Sequence, residues 1–136
     1  MFGTSGSKPS TKIDTLIGVS MRIEGDVTFS GGLRIDGTIV GNVTASPDAQ
    51  STLTISESAV VHGEVRVDHL VVNGTIVGPV RALASCELQA KAHVTGDIEY
   101  KTIEIHLGAV VQGHLVQRIE SEASKQGPLK LAANNG

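Results

Sequence analysis

Branched aliphatic residues recur along the chain in i, i+2 pairs arranged around glycines. With Gly25, Gly41, Gly63, Gly78, Gly96 and Gly113 as landmarks, the steps are 16, 22, 15, 18 and 17 residues. Two positions before each landmark stand Ile23, Ile39, Val61, Ile76, Val94 and Val111, and two positions after stand Val27, Val43, Val65, Val80, Ile98 and Leu115. A second apolar pair precedes each landmark: Ile17/Val19, Leu33/Ile35, Leu53/Ile55, Leu70/Val72, Cys86/Leu88 and Ile103/Ile105. Period 2 in runs this short predicts strands with one buried face, two or three per unit, separated by bends. One such unit cannot bury its own apolar face, so the units must stack. The pattern predicts an all-β fold, a single parallel β-helix of about six rungs, roughly 29 Å tall at about 4.8 Å per rung.

Charge placement agrees with this. If even offsets from the landmark glycine point inward, charges belong at odd offsets, and 14 of the 17 charged residues between positions 16 and 115 obey. The exceptions, Glu57, Asp68 and Lys101, fall at expected bends. The landmark glycines have the buried parity, where a side chain would crowd a bend or a narrow core. The longest step holds Ser46-Pro47-Asp48-Ala49-Gln50, which reads as a loop leaving one bend. Pro79 follows a landmark glycine and removes a ladder hydrogen bond, so the chain bends there or that rung is locally defective.

Composition bounds the domain. All 16 Val lie between Val19 and Val116, and all 11 Ile between Ile13 and Ile119. Residues 1–12 and 120–136 are polar and small, too poor in apolar surface to offset the entropy of ordering, and are expected to be flexible tails around a 13–119 core. With two Phe, one Tyr and no Trp, that core must be aliphatic. No apolar run approaches the roughly 18 residues of a spanning helix and no signal-peptide pattern opens the chain, so a soluble, cytoplasmic protein is expected. A net charge of −3 argues against nucleic acid as a partner.

Candidate chemistry is sparse. His62, His69, His93, His106 and His114 all fall at odd offsets and are expected on the outside, with no carboxylate or second histidine converging on any of them. Cys86 is at an inward position and reads as a small core hydrophobe. As the only cysteine it also excludes an intrachain disulfide and a cysteine-built zinc cluster. No nucleophile elbow appears, and Gly31-Gly32 enters a strand rather than a phosphate-cradling helix. No catalytic, cofactor-binding or metal residue is expected, and the chain does not read as an enzyme.

What remains is a stack with open ends. The first and last rungs of a β-helix expose rows of backbone N–H and C=O groups that template pairing with another chain unless capped. Ile17, Val19 and Ile23 lie at one end, and Ile103, Ile105, Val111 and Leu115 at the other. End-to-end self-association follows; the alternative is that the tails fold back over the ends. Two readings of the start also stand open. Met1 and Phe2, with Lys8 and Lys12, could dip into an anionic bilayer surface, with avidity along a polymer, or the segment could be an ordinary disordered terminus.

Residues 13–119 resemble the bactofilin family of bacterial polymer-forming cytoskeletal proteins. The resemblance is carried by Ile17-Gly18-Val19, by Ile23-Glu24-Gly25-Asp26-Val27 and by Leu33-Arg34-Ile35-Asp36-Gly37-Thr38-Ile39-Val40-Gly41-Asn42-Val43. The echo Leu70-Val71-Val72-Asn73-Gly74-Thr75-Ile76-Val77-Gly78 and Gly96-Asp97-Ile98 add to it. It implies a right-handed β-helix with a triangular aliphatic core and disordered tails. It further implies nucleotide-independent assembly into non-polar homopolymers through like-end contacts. Association with the cytoplasmic face of the inner membrane and scaffolding of cell-wall or cell-shape machinery are implied as well. Where the family carries a large apolar residue that supports polymerisation near the C-terminal end of the core, this chain has Leu115. The family often places a basic residue soon after Met-Phe; here Gly3-Thr4 follow, and the first Lys is Lys8. Two rival functions compete with this one. A hexapeptide-repeat acyltransferase needs an aliphatic at every sixth position on equal sides, which the wandering coil length does not supply. A non-polymerising adaptor could dock through outward Val40, Val60, Val77 and Val110, which sit on non-adjacent rungs within each column.

Overall fold

A computed structural model of the protein describes residues 13–118. Among them the chain forms fifteen strands and no helix. The first rungs are made of β1 (Thr15–Ile17), β2 (Arg22–Glu24), β3 (Val27–Phe29), β4 (Gly32–Ile35), β5 (Thr38–Val40) and β6 (Val43–Ala45). The middle follows with β7 (Thr52–Ile55), β8 (Val60–His62), β9 (Val65–Val72) and β10 (Thr75–Val77). The last rungs are β11 (Val80–Leu88), β12 (His93–Thr95), β13 (Ile98–Ile105), β14 (Val110–Gln112) and β15 (Leu115–Gln117). Every pairing is parallel, between one rung and the next.

Three ladders run up the stack. The first is β2-β5-β8-β10-β12-β14. The second is β3, β6, the first halves of β9, β11 and β13, and then β15. The third is β1, β4, β7 and the second halves of β9, β11 and β13. The expected parallel β-helix of about six rungs is therefore the observed fold.

The aliphatic columns read from the sequence are in register. Ile23, Ile39, Val61, Ile76, Val94 and Val111 stack in the first ladder. Val27, Val43, Val65, Val80, Ile98 and Leu115 stack in the second. In the interior of the stack Ile39, Val61, Ile76 and Val94 are wholly inaccessible, each contributing about 1.5–3 kcal/mol of burial. Their end-rung counterparts Ile23 and Val111 are only half-buried.

One column needs correction. The third ladder pairs Ile17 with Ile35 and Thr15 with Leu33, so the first rung's pair is Thr15/Ile17, not Ile17/Val19. Val19 lies in a turn closed by Met21 N–H donating to the Gly18 carbonyl at 3.0 Å, and is 72% exposed. A further inward column went unread: Val67 and Ala82 are buried, and Phe29, Ala45 and Tyr100 pack half-buried against the core. Its residues differ too much in size to share a sequence signature.

Pro79 costs the ladder nothing. It occupies the corner position after the landmark glycine, where the N–H faces a side chain of the preceding rung: Asn42 N–H donates to Asp26 Oδ1, Glu64 N–H to Asn42 Oδ1 and His114 N–H to Asp97 Oδ1, at 2.9, 3.0 and 3.0 Å. A residue without an N–H loses only that side-chain bond. The Pro79 carbonyl still accepts from Val65 N–H at 3.0 Å. The landmark glycines are at these corners rather than in the core. Gly41 has φ +156°, and a Cβ there would collide with the Gly25 carbonyl of the rung below. Residues 46–51 loop out between β6 and β7 as expected, and buried Ser51 closes the loop onto the Asp68 carboxylate.

Candidate functional site

At the C-terminal end of the stack, Ile98 N–H donates to the His114 carbonyl as Val27, Val43, Val65 and Val80 do to the rungs above them. Leu115, next in that column, has no further rung above it among the described residues. The second half of β13, residues 102–105, likewise has no strand over it, since β15 covers only Ile98–Tyr100. Four expected residues, Ile103, Ile105, Val111 and Leu115, are brought together in this last layer. Ile103 and Val111 are half-buried, Ile105 is 46% exposed and Leu115 43% exposed.

At the opposite end Ile17 is buried and Ile23 half-buried, while Val19 projects from its turn. Met1, Phe2, Lys8 and Lys12, named for membrane contact, lie outside the described residues, as do the two expected tails 1–12 and 120–136.

Sequence reasoning missed how the terminal turns differ from the inner ones. Four turns join the third ladder to the first, each closed by an i→i+3 bond: Met21 to Gly18, Ala59 to Ser56, Ala92 to Gln89 and Ala109 to His106. Their second residues are Val19, Glu57, Ala90 and Leu107. The end rungs thus carry large apolar side chains where inner rungs carry a carboxylate or a methyl, and Leu107 is 96% exposed. Alignment of the four turns, rather than of strands, is the signal that would have found them. Ile13, Leu16 and Met21 add exposed apolar surface at the N-terminal end.

Three histidines depart from expectation. His69 is not on the open surface: its Nδ1 is 2.8 Å from Ser85 Oγ and its Nε2 is buried without a hydrogen-bond partner. Burial holds its pKa below the usual imidazole value, against the opposing pull of Asp68. Carboxylates do converge on two of the others. His106 Nε2 is 3.0 Å from Glu87 and 3.3 Å from Glu104. His114 meets Asp97 at 3.1 Å, and its backbone and ring N–H groups hold the Asp97 carboxyl below the ordinary carboxylate range. Only the Glu87–His106 contact joins neighbouring columns of successive rungs. Asp97 and His114 hold the same corner position after a landmark glycine on successive rungs, and Glu104 is two residues before His106, so aligning the rungs by those glycines would have found both. Cys86 is buried as expected, and desolvation, with Glu87 beside it, pushes its thiol up to about 12.

The chain is similar to several known proteins. The family model for bactofilins, described as polymer-forming cytoskeletal, matches residues 15–116. Bactofilin BacP of Myxococcus xanthus (strain DK1622) is 33% identical over 107 residues, 78% of this chain and 43% of BacP. The chain thus spans less than half the length of that relative. Bactofilin BacO of the same organism is 28% identical over 102 residues, 75% of this chain and 78% of BacO. A cryo-EM reconstruction of Thermus thermophilus bactofilin double helical filaments is similar at 24% identity and a TM-score of 0.47, covering 74% of this chain and 98% of that one.

Proposed function

The chain belongs to the bactofilin family of polymer-forming cytoskeletal proteins, and from that premise we propose that it assembles end to end, through like-end contacts of its first and last rungs, into non-polar filaments. The observation that carries this is the last layer: Ile103, Ile105, Val111 and Leu115 form a partly exposed apolar surface beneath which the same columns are fully buried. A second copy would extend those columns and give the edge strands partners. Leu107 and Val19 widen the apolar face at the two ends.

No nucleotide enters this reading. The filament lies at the cytoplasmic face of the inner membrane, held by Met1, Phe2, Lys8 and Lys12 of many copies at once. There it scaffolds cell-wall or cell-shape machinery. Negative-stain electron microscopy of the purified protein in EDTA, without nucleotide, tests the assembly. Unbranched filaments are expected; discrete monomers or trimers contradict it and favour the adaptor or acyltransferase alternatives. For the membrane, deletion of residues 1–12 is expected to abolish co-sedimentation with anionic liposomes while filaments persist. Unchanged co-sedimentation removes the role from that segment.

A further inference from the structure

Glu87 on β11 and Glu104 on β13 stand directly opposite one another in the third ladder. Like charges in that arrangement repel, and elsewhere in the same pair of strands the register sets Arg81 against Glu99. What faces the two carboxylates is the imidazole of His106, in the turn after β13, with the Gln89 amide donating to Glu87 at 3.4 Å from the side. Their side chains keep 34% and 71% of their surface open to solvent, and that of His106 keeps 40%.

The donor atoms of the three residues all lie within 4.8 Å of one another. His106 Nε2 is 3.0 and 3.3 Å from the two carboxylate oxygens. The ligand atoms of a tetrahedral zinc ion, with bonds of about 2.0–2.2 Å, stand about 3.3–3.6 Å apart. Closing on such an ion therefore needs only small side-chain adjustments. One imidazole and two carboxylates suit a borderline divalent ion, whereas calcium and magnesium favour all-oxygen shells of six or more. From this juxtaposition the geometry points to a site for one divalent transition-metal ion of the zinc class, ligated by Glu87, Glu104 and His106, with its fourth position open to solvent. The ion neutralises the stacked carboxylates and ties the last two rungs of the third ladder together where, among the described residues, the second half of β13 has no strand above it.

The site does not depend on filament formation, so it is tested by equilibrium dialysis, which reads bound metal whether or not chains are assembled. Chelator-stripped full-length protein is dialysed against micromolar ZnCl2 and bound zinc is counted per chain. One zinc per chain is expected, with affinity falling about tenfold or more in Glu104→Gln and in His106→Gln. His93→Gln, which removes an exposed histidine outside the cluster, should bind as the parent does. Circular dichroism checks that each variant keeps its β-structure; if one loses it, the other decides. Absence of bound zinc, or binding that survives both substitutions undiminished, overturns the site.

Discussion

The contrast between interior and end rungs predicts that one substitution acts on different processes at Ile76 and Ile105. Ile76 is wholly inaccessible, stacked between Val61 and Val94. Truncation to Ala removes three carbons and leaves a cavity between two packed neighbours, costing about 2–5 kcal/mol of folding stability. Ile105 is 46% exposed, with Leu88 below it and no strand above it among the described residues. Roughly half of its transfer energy, about 1 kcal/mol at about 0.8 kcal/mol per buried carbon, is realised in the isolated chain. The other half is available only when a second copy covers the end. A like-end contact holds two such residues, so Ile105→Ala weakens the contact by about 2 kcal/mol, or about 30-fold in its dissociation constant. Urea unfolding at concentrations below assembly gives the first quantity, and the concentration threshold for sedimentation gives the second. Ile76→Ala should shift the unfolding midpoint strongly, and Ile105→Ala chiefly the threshold. Equal losses of stability in the two, with an unmoved threshold for Ile105→Ala, would refute the reasoning.

Two further outcomes concern buried groups. At pH 8 the Cys86 thiol, pushed up to about 12, holds about a thousandfold less thiolate than an ordinary thiol. It should therefore resist a disulfide reagent in the native protein and react promptly in guanidinium; equal rates in the two states contradict the burial. His69 has its folded pKa depressed below 6.5, so the unfolded chain takes up the proton first. Its contribution is complete above pH 6.5 and is lost as pH falls from there through the folded value. Stability should thus drop less between pH 7.5 and 5.5 in His69→Gln than in the parent, and an equal or larger drop counts against the assignment.

Much of this fold was legible because a stacked coil repeats one physical problem six times. Each rung must bury aliphatics on one side, so the columns through Ile39 and Val43 appear as the same i, i+2 pairs around the same glycine. The glycine recurs because the carbonyl of the rung below leaves no room for a Cβ. Legibility failed where the constraint is not repeated. Val19 mimicked a strand position, but a turn closed at Gly18 placed it outside. Pro79 resembled a defect because the side-chain acceptors of the corner column, Asp26, Asn42 and Asp97, carry no apolar pattern. The approach of Glu87 to His106 required the register of β11 against β13, which alternation within one strand does not supply. Of the candidate end faces, the inward residues were readable and the turn residue Leu107 was not, since its turn position is exposed on inner rungs too, at Glu57 and Ala90, and carries no apolar repeat.

The central claim is that the open last layer is the assembly surface, and Leu115→Arg tests it most directly. Leu115 caps the column above Ile98 at an end already 43% exposed, so a charge there is tolerated by the single chain but not between two apolar end faces. Parent and variant would be compared at equal concentration by negative-stain electron microscopy, with circular dichroism as the control for folding. The account predicts filaments in the parent and discrete particles with an unchanged β-spectrum in the variant. Filaments of normal length from the variant would contradict it.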